Sequence, residues 1–145
     1  MTDTAAKAVQ VRVTHRYPFP PERVFDAWLD PARAARFLFA TPTGTVVRCE
    51  IDARVGGEMV IVDRRPDMGD TEHRGKFVEI DRPRRLVFDF AVPAYDEAWT
   101  RVIVEIAATA DGCELTLTHQ GVLTSYVEQT KQGWGMILER LARAA

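Results

Sequence analysis

Six segments in which apolar and polar residues alternate follow one another between residues 45 and 119, with no helical pattern between them. Alternation with a period of two is typical of β-strands that bury one face. Turn signals separate the segments, among them Gly56-Gly57 and Asp111-Gly112. The predicted strands are residues 45–51, 58–63, 72–80, 86–92, 99–108 and 113–119. Consecutive strands of this kind favour an antiparallel sheet over a parallel α/β arrangement.

The pattern within two of these segments also predicts which side chains face the core. In TVVRCEI at 45–51, strict alternation places Val47, Cys49 and Ile51 on one face. In LVFDFAV at 86–92, it places the residues Leu86, Phe88, Phe90 and Val92 on one face.

A further strand and two short helices are predicted before this series. Residues 9–17 alternate, with His15 and Tyr17 on the apolar face. In the following stretch PPERVFDAWLD, Pro21 suits the first turn of a helix, because its missing N–H has no partner there in any case. Asp30 is a predicted N-cap for a second helix that carries the residues Ala34, Ala35, Phe37 and Leu38.

A long helix is predicted at the end of the chain. Ser125 and Glu128 match the capping box Ser-x-x-Glu, so the helix should begin near Ser125. Glycine costs about 1 kcal/mol relative to alanine inside a helix, yet Gly133 and Gly135 flank Trp134. We therefore expect the two glycines to narrow the helix where it meets the sheet, with Trp134 as the central contact. The predicted apolar stripe is Val127, Trp134, Ile137, Leu138 and Leu141.

The element order is therefore strand, two helices, six strands and a helix, which indicates an α+β fold with an antiparallel sheet. The 145 residues suit a single domain over 1–145. The net charge of −2 argues against nucleic acid as a partner. The sequence shows no signal peptide and no apolar run long enough to span a membrane, and its two cysteines suit a reduced compartment. We therefore expect a cytoplasmic protein that does not act at a membrane.

Several segments resemble the START-like superfamily, also called SRPBCC or Bet v 1-like, which has a helix-grip fold. More narrowly, the chain resembles the family named after the C-terminal domain of the activator of Hsp90 ATPase (AHSA1). The segments that carry the resemblance are PPERVFDAWLDP at 20–31, DARVGGEM at 52–59, HRGKFVEIDRPRRLVFDF at 73–90, LTLTHQG at 115–121 and GWGMILERL at 133–141. They occur in the family's order over nearly the whole chain.

The resemblance implies a seven-stranded antiparallel sheet curled around the long C-terminal helix, with a ligand cavity between them. Two positions depart from the family's pattern. A tryptophan often closes the second helix, where this chain has Phe37, and a histidine often stands four residues before the terminal tryptophan, where this chain has Thr130. Any ligand contact made by that histidine in relatives does not carry over.

The candidate cavity residues are the larger aromatic side chains and a few polar ones near them. Such aromatic residues are more often simply core, and we expect a mixture of core and cavity wall. Polar groups for a ligand could come from His15, His119, Arg101 or Tyr95. The full set of ligand-cavity candidates is His15, Trp28, Phe37, Phe77, Phe88, Phe90, Trp99, Arg101, His119 and Trp134.

The histidines do not predict a metal site. His15 lies late in the first strand and His119 late in the last strand. Because these strands are antiparallel neighbours in the helix-grip order, the two histidines should lie toward opposite ends of the strand pair. A shared metal would need both nitrogens within about 2.1 Å of the ion. His73 is on a third strand. The simpler interpretation is that inward histidines are satisfied by backbone or water.

Three functions remain open at this stage. The first is binding of a small hydrophobic molecule under the terminal helix. The second, implied by the family's name alone, is stimulation of an Hsp90-type ATPase. The third is catalysis on a hydrophobic metabolite, which needs a buried acid–base pair; no catalytic residue is identified. The sequence carries no P-loop, Rossmann or GxSxG motif, so we expect no cofactor and no metal. It does not decide between a monomer and a homodimer.

Overall fold

Seven strands form one antiparallel sheet in the order β1-β7-β6-β5-β4-β3-β2. The computed structural model describes residues 8–39, 43–67, 69–93 and 96–145, with backbone only for residues 8 and 96–98. The strands are β1 (Ala8–Tyr17), β2 (Thr45–Ile51), β3 (Glu58–Arg65), β4 (Gly69–Asp81), β5 (Arg85–Val92), β6 (Asp96–Thr109) and β7 (Gly112–Leu123). The helices are α1 (Pro21–Leu29), α2 (Pro31–Phe37) and α3 (Val127–Ala144). This is the predicted helix-grip architecture, with α1 and α2 between β1 and β2.

The core lies between the inward face of the curled sheet and the three helices. Trp28 and Phe37, from the two short helices, pack edge to face with their ring centroids 5.3 Å apart. Leu138 and Leu141 of α3 are fully buried against them. Each large apolar side chain buried in this way contributes roughly 1.5–3 kcal/mol. The strands supply the inward residues Met59, Ile61, Phe77, Phe88, Val102, Val104, Leu115 and Leu117.

Local sequence signals start the first two helices as predicted. Pro21 occupies the first turn of α1. Asp30 caps α2, because its side-chain carboxylate accepts a hydrogen bond from the backbone N–H of Ala32 at 3.1 Å. The Gly56-Gly57 turn is fixed to β4, since Gly56 donates to the carbonyl of Phe77 and Phe77 donates to that of Gly57, both at 2.9 Å.

Two sequence predictions about local geometry are wrong. Val47 does not face the core: its side chain is 44% exposed, because a bulge at Val46–Arg48 breaks the alternation of β2 and turns Val46 inward instead. Ser125 does not cap α3. A 3₁₀ turn over Thr124–Tyr126 precedes the helix, so Tyr126 occupies the N-cap position and its side chain makes no capping hydrogen bond.

The expected close packing at Gly133 and Gly135 is also wrong. A Cβ atom at either position would have no heavy atom within 4 Å outside its own helix and immediate neighbours. The two glycines therefore leave open space beside the helix, while Trp134 between them is buried. Trp134 is the central contact, as predicted, but the glycines are not what allows it to pack.

We predict that Gly135→Ala raises the free energy of unfolding by about 0.5–1 kcal/mol, because alanine has the higher helix propensity and its methyl group meets no neighbour. Urea unfolding measures the change. Gly57→Ala is the matched control, since there a Cβ would collide with the backbone carbonyl of Asp52, and that variant should be destabilised. A loss of stability in Gly135→Ala would mean that the helix flank is packed after all.

Candidate functional site

A cleft of about 470 Å³ opens between the first turns of α3 and the adjacent ends of β5, β6 and β7. Apolar side chains dominate its wall, and Thr100, His119, Gln129 and Thr130 add polar groups. Among the residues that the structure describes here, none that lines the cleft carries a charged side chain. The lining residues are Phe90, Ala91, Val92, Thr100, His119, Gly121, Val122, Leu123, Tyr126, Gln129 and Thr130.

A series of hydrogen bonds runs along the sheet side of this cleft, which is called the inner wall below and includes Thr100 and His119. The indole N–H of Trp134 donates to Nδ1 of His119 at 3.0 Å. Nε2 of His119 lies 2.7 Å from Oγ1 of Thr100. That hydroxyl in turn lies 3.2 Å from the carbonyl oxygen of Phe90. The series connects α3 to β7, β6 and β5, the four elements that form the cleft.

The direction of each hydrogen bond in this series follows from Trp134. An indole nitrogen can only donate, so Nδ1 of His119 must be the acceptor. In a neutral imidazole the other nitrogen then carries the proton, so Nε2–H donates to Thr100. The hydroxyl proton of Thr100 is left for the Phe90 carbonyl. When His119 is neutral, each of these three donors, the Trp134 N–H, the His119 Nε2–H and the Thr100 hydroxyl, therefore has an acceptor.

Burial keeps His119 in this neutral form. Desolvation lowers the pKa of its imidazole from 6.5 to about 4, because the charged form loses its hydration. Protonation would also place an Nδ1–H against the Trp134 N–H, two donors facing each other. His119 therefore acts as a fixed structural link at neutral pH rather than as a group that exchanges protons.

An aromatic layer lies beside this series of hydrogen bonds. The Phe39 ring packs face-on against His73 and Phe90, with centroid distances of 4.4 and 4.8 Å and nearly parallel planes. Its edge meets the indole of Trp134 at 5.7 Å. Phe39 holds this position with a left-handed backbone (φ +59°), which is uncommon for a bulky residue. The layer thus connects the segment after α2 to Phe90, which lines the cleft.

His73 is a second buried histidine held neutral. Its Nδ1 lies 3.2 Å from the carbonyl oxygen of Ile61, on the neighbouring strand β3. Burial lowers the pKa of His73 to about 4, opposed in part by that hydrogen bond. His73 therefore supports the aromatic layer and, at neutral pH, carries no charge into it.

The structure brings only part of the predicted candidate set together at the cleft. Phe90 and His119 line it, and Trp134 stands behind His119. The other ring candidates are core residues with no more than 2% of their surface exposed, namely Trp28, Phe37, Phe77 and Phe88.

The remaining candidates lie away from the cleft. Arg101 is on the outer face of the sheet, where it pairs with Asp89 at 2.9 Å. Trp99 is 49% exposed. His15 lines a separate open groove between β1 and α3, and the strand register sets it opposite Leu115 while His119 faces Val11. The predicted separation of the two histidines is thus confirmed, whereas Tyr95 lies outside the described residues.

Thr100 lines the cleft but was not among the residues predicted from the sequence. It begins an inward-facing series with Val102, Val104 and Ile106, so the alternation of β6 carried the signal. The α3 residues Gln129 and Thr130 were missed as well, because the position of the 3₁₀ turn decides which face of the first helical turns meets the cleft.

Within the described ranges, no group of three or more histidine, cysteine or carboxylate side chains is placed to hold a metal ion. Among the same residues, no helix combines the length and the apolar character needed to cross a bilayer.

Comparison with known proteins gives a consistent result. The family model described as "Activator of Hsp90 ATPase homolog 1-like protein" matches residues 18–145. No curated protein sequence matches the chain. A crystal structure of a Chromobacterium violaceum protein is similar over 92% of this chain and 95% of its own, with 25% identity and a TM-score of 0.83.

Two further solved structures are similar in fold. One is the solution structure of an AHSA1-like protein from Aeromonas hydrophila, with 24% identity, a TM-score of 0.81, and coverage of 94% of this chain and 91% of that one. The other is a Staphylococcus aureus protein described as of unknown function, with 16% identity, a TM-score of 0.84, and coverage of 95% and 93%.

We predict that the free energy of unfolding falls as the pH is lowered from 6.5 to 4. The unfolded chain binds protons at its histidines in this window, whereas folded His73 and His119 do not until about pH 4. Each histidine should cost on the order of 3 kcal/mol by pH 4. Urea unfolding at several pH values measures this. His119→Gln should show a shallower loss, and an unchanged slope in that variant would contradict the assignment.

We also predict that Trp134→Phe lowers the free energy of unfolding by about 2 kcal/mol, because Nδ1 of His119 loses the indole donor while staying buried. The matched control is Trp99→Phe at a half-exposed position, which should change stability by less than about 0.5 kcal/mol. Equal effects in the two variants would show that the indole N–H does not matter.

Proposed function

The chain belongs to the activator of Hsp90 ATPase homologue 1-like family, and on that basis we propose that it binds a small apolar molecule in the cleft between α3 and β5–β7. The observation that carries the proposal is the cleft itself. Its volume of about 470 Å³ falls in the range typical of small-molecule sites, roughly 300–1,000 Å³. Its wall combines many apolar residues with few polar groups, which is the usual composition of such a site.

The rigidity of the inner wall also supports binding. Thr100 and His119 are held by hydrogen bonds on both sides, so their side chains need no reordering when a ligand arrives. A preformed wall reduces the entropy cost of association. The open mouth beside Tyr126, which is 54% exposed, gives a ligand a way in from solvent.

Binding fits this geometry better than catalysis by a histidine. A general base needs a free nitrogen near its substrate and a pKa near the working pH. Both nitrogens of His119 are engaged, and its pKa of about 4 lies well below neutrality. The co-chaperone role rests on the family's description alone, and no contact in the described residues favours it.

Filling the cleft tests the proposal. Thr130→Phe places a ring in the cleft, while Lys131→Phe, the matched control, adds the same ring at the adjacent exposed position of α3. Native mass spectrometry of the purified wild-type protein first identifies any co-purified molecule, and a library of neutral aromatic and lipid-like compounds is then screened by thermal unfolding.

The wild-type protein and Lys131→Phe should gain about 2.7 kcal/mol of stability at a ligand concentration 100 times Kd. Thr130→Phe should bind the same compounds at least about tenfold more weakly, since the added ring occupies their place. If no compound stabilises the wild type, or if both variants bind equally well, the cleft is not a ligand site.

A further inference from the structure

We propose that the inner wall of the cleft selects uncharged ligands that present a hydrogen-bond donor, an O–H or N–H group, and that Oγ1 of Thr100 accepts this hydrogen bond. The inference rests on the proposed function, because it specifies which small molecules the same cleft takes. It follows from counting the donors and acceptors of the inner wall.

The side chains of Thr100 and His119 have no donor left to offer a ligand. Nδ1 of His119 accepts from Trp134, and its Nε2–H donates to Thr100, so both imidazole nitrogens are used. The single hydroxyl proton of Thr100 goes to the carbonyl oxygen of Phe90. A threonine hydroxyl has one proton and two lone pairs. One lone pair receives the His119 proton, which leaves the other as the free hydrogen-bonding capacity of this side-chain pair.

A ligand group that only accepts hydrogen bonds is therefore mismatched here. A carbonyl or ether oxygen would face the Thr100 lone pair and leave both groups without a partner. Buried polar groups without partners cost more than paired ones, so such ligands should bind more weakly. A site of this kind discriminates between a donor and its isosteric acceptor, as sites that pair with a substrate's O–H or N–H generally do.

A charged ligand is mismatched for a second reason. None of the described residues that line the cleft carries a charge, so a buried carboxylate would lose its hydration without gaining a cationic partner among them. A carboxylate is also an acceptor only and would meet the same lone pair of Thr100. On the opposite wall, Gln129 and Thr130 of α3 can donate. The cleft thus orients its ligand, with the donor toward β6 and any acceptor toward α3.

Indole and benzofuran provide a matched pair of probes, because the two bicyclic rings have the same shape and differ in an N–H donor against a ring oxygen. Each is titrated into the ¹⁵N-labelled wild-type protein, and the backbone amide of Thr100 and the indole N–H of Trp134 are followed by NMR. 1-Methylindole, which lacks the donor, and indole-5-carboxylate, which adds a charge, complete the series. We expect indole to bind about fivefold more tightly than benzofuran or 1-methylindole, and the carboxylate to bind more weakly still.

Two variants test the role of Thr100. Thr100→Val removes the acceptor at nearly constant shape and should lose the preference for indole over benzofuran. Thr100→Ser keeps the hydroxyl and should retain the preference. The NMR spectrum of each variant shows whether it is folded, and the ligand series in wild-type protein decides the question even if Thr100→Val does not fold.

The outcomes separate this inference from the proposed function. If benzofuran and 1-methylindole bind as tightly as indole, or if Thr100→Val keeps the preference for indole, the proposed selection of ligands with a hydrogen-bond donor is overturned. Binding in the cleft then still stands. Tight binding of the carboxylate overturns the requirement for an uncharged ligand. If none of the four compounds shifts the Thr100 or Trp134 signals up to its solubility, the proposed preference for donors is overturned, and the library screen described above decides the proposed function separately.

Discussion

The hydrogen bond from the Trp134 indole to His119 determines how the rest of this end of the molecule is arranged. An indole nitrogen can only donate, so this one contact fixes the tautomer of His119, the orientation of the Thr100 hydroxyl and the partner of the Phe90 carbonyl. Through these residues α3 is held to three strands of the sheet. The same contact requires His119 to remain neutral, because protonation would set two donors against each other. The hydrogen-bonding chemistry of Thr100 and His119 therefore follows from this one interaction, while burial lowers the pKa of His119.

The polar side chains on the sheet side of the cleft, Thr100 and His119, already have partners within the protein. Buried polar networks stabilise a structure when every member has a partner, and they are costly when one member does not. Here the network uses all of its donors internally, and the Thr100 hydroxyl keeps one lone pair that no donor of the network occupies. A wall of this kind is poorly suited to acid–base chemistry at neutral pH. In the function proposed above, such a wall would hold an uncharged molecule through apolar contacts with Phe90, Val92 and Leu123.

Much of the fold was predictable from the sequence because it is encoded by short-range patterns. The alternation of β5 and the Asp30-Pro31 pair act within one strand or one helical turn. Leu86, Phe88 and Phe90 face the core and Asp30 caps α2, as predicted. A register shift between Phe90 and Val92 ends the predicted alternation, so that Ala91 lines the cleft as well. The failures arise where pairing between elements overrides the local pattern. Val47 is exposed because the register of β2 on β3 inserts a bulge, and Ser125 loses its capping role to a 3₁₀ turn. The glycines beside Trp134 suggest close packing, yet a Cβ atom at either position would meet no neighbouring atom within 4 Å outside its own helix. The site was predictable only in part. The sequence pattern places His119 and Phe90 on inward faces, but it does not predict their hydrogen bonds to Trp134 and Thr100, because those depend on how α3 packs on β6 and β7.

The description of the cleft wall depends on which nitrogen of the His119 imidazole carries a proton. Long-range ¹H–¹⁵N NMR correlations of the imidazole, recorded at pH 7 and pH 5, distinguish the Nε2–H tautomer, the Nδ1–H tautomer and the imidazolium. We predict the neutral Nε2–H tautomer at both pH values, because Nδ1 accepts from Trp134 and the pKa lies near 4. A protonated Nδ1 at pH 7, or an imidazolium that forms with the pKa of a free histidine near 6.5, would contradict the account of the cleft wall.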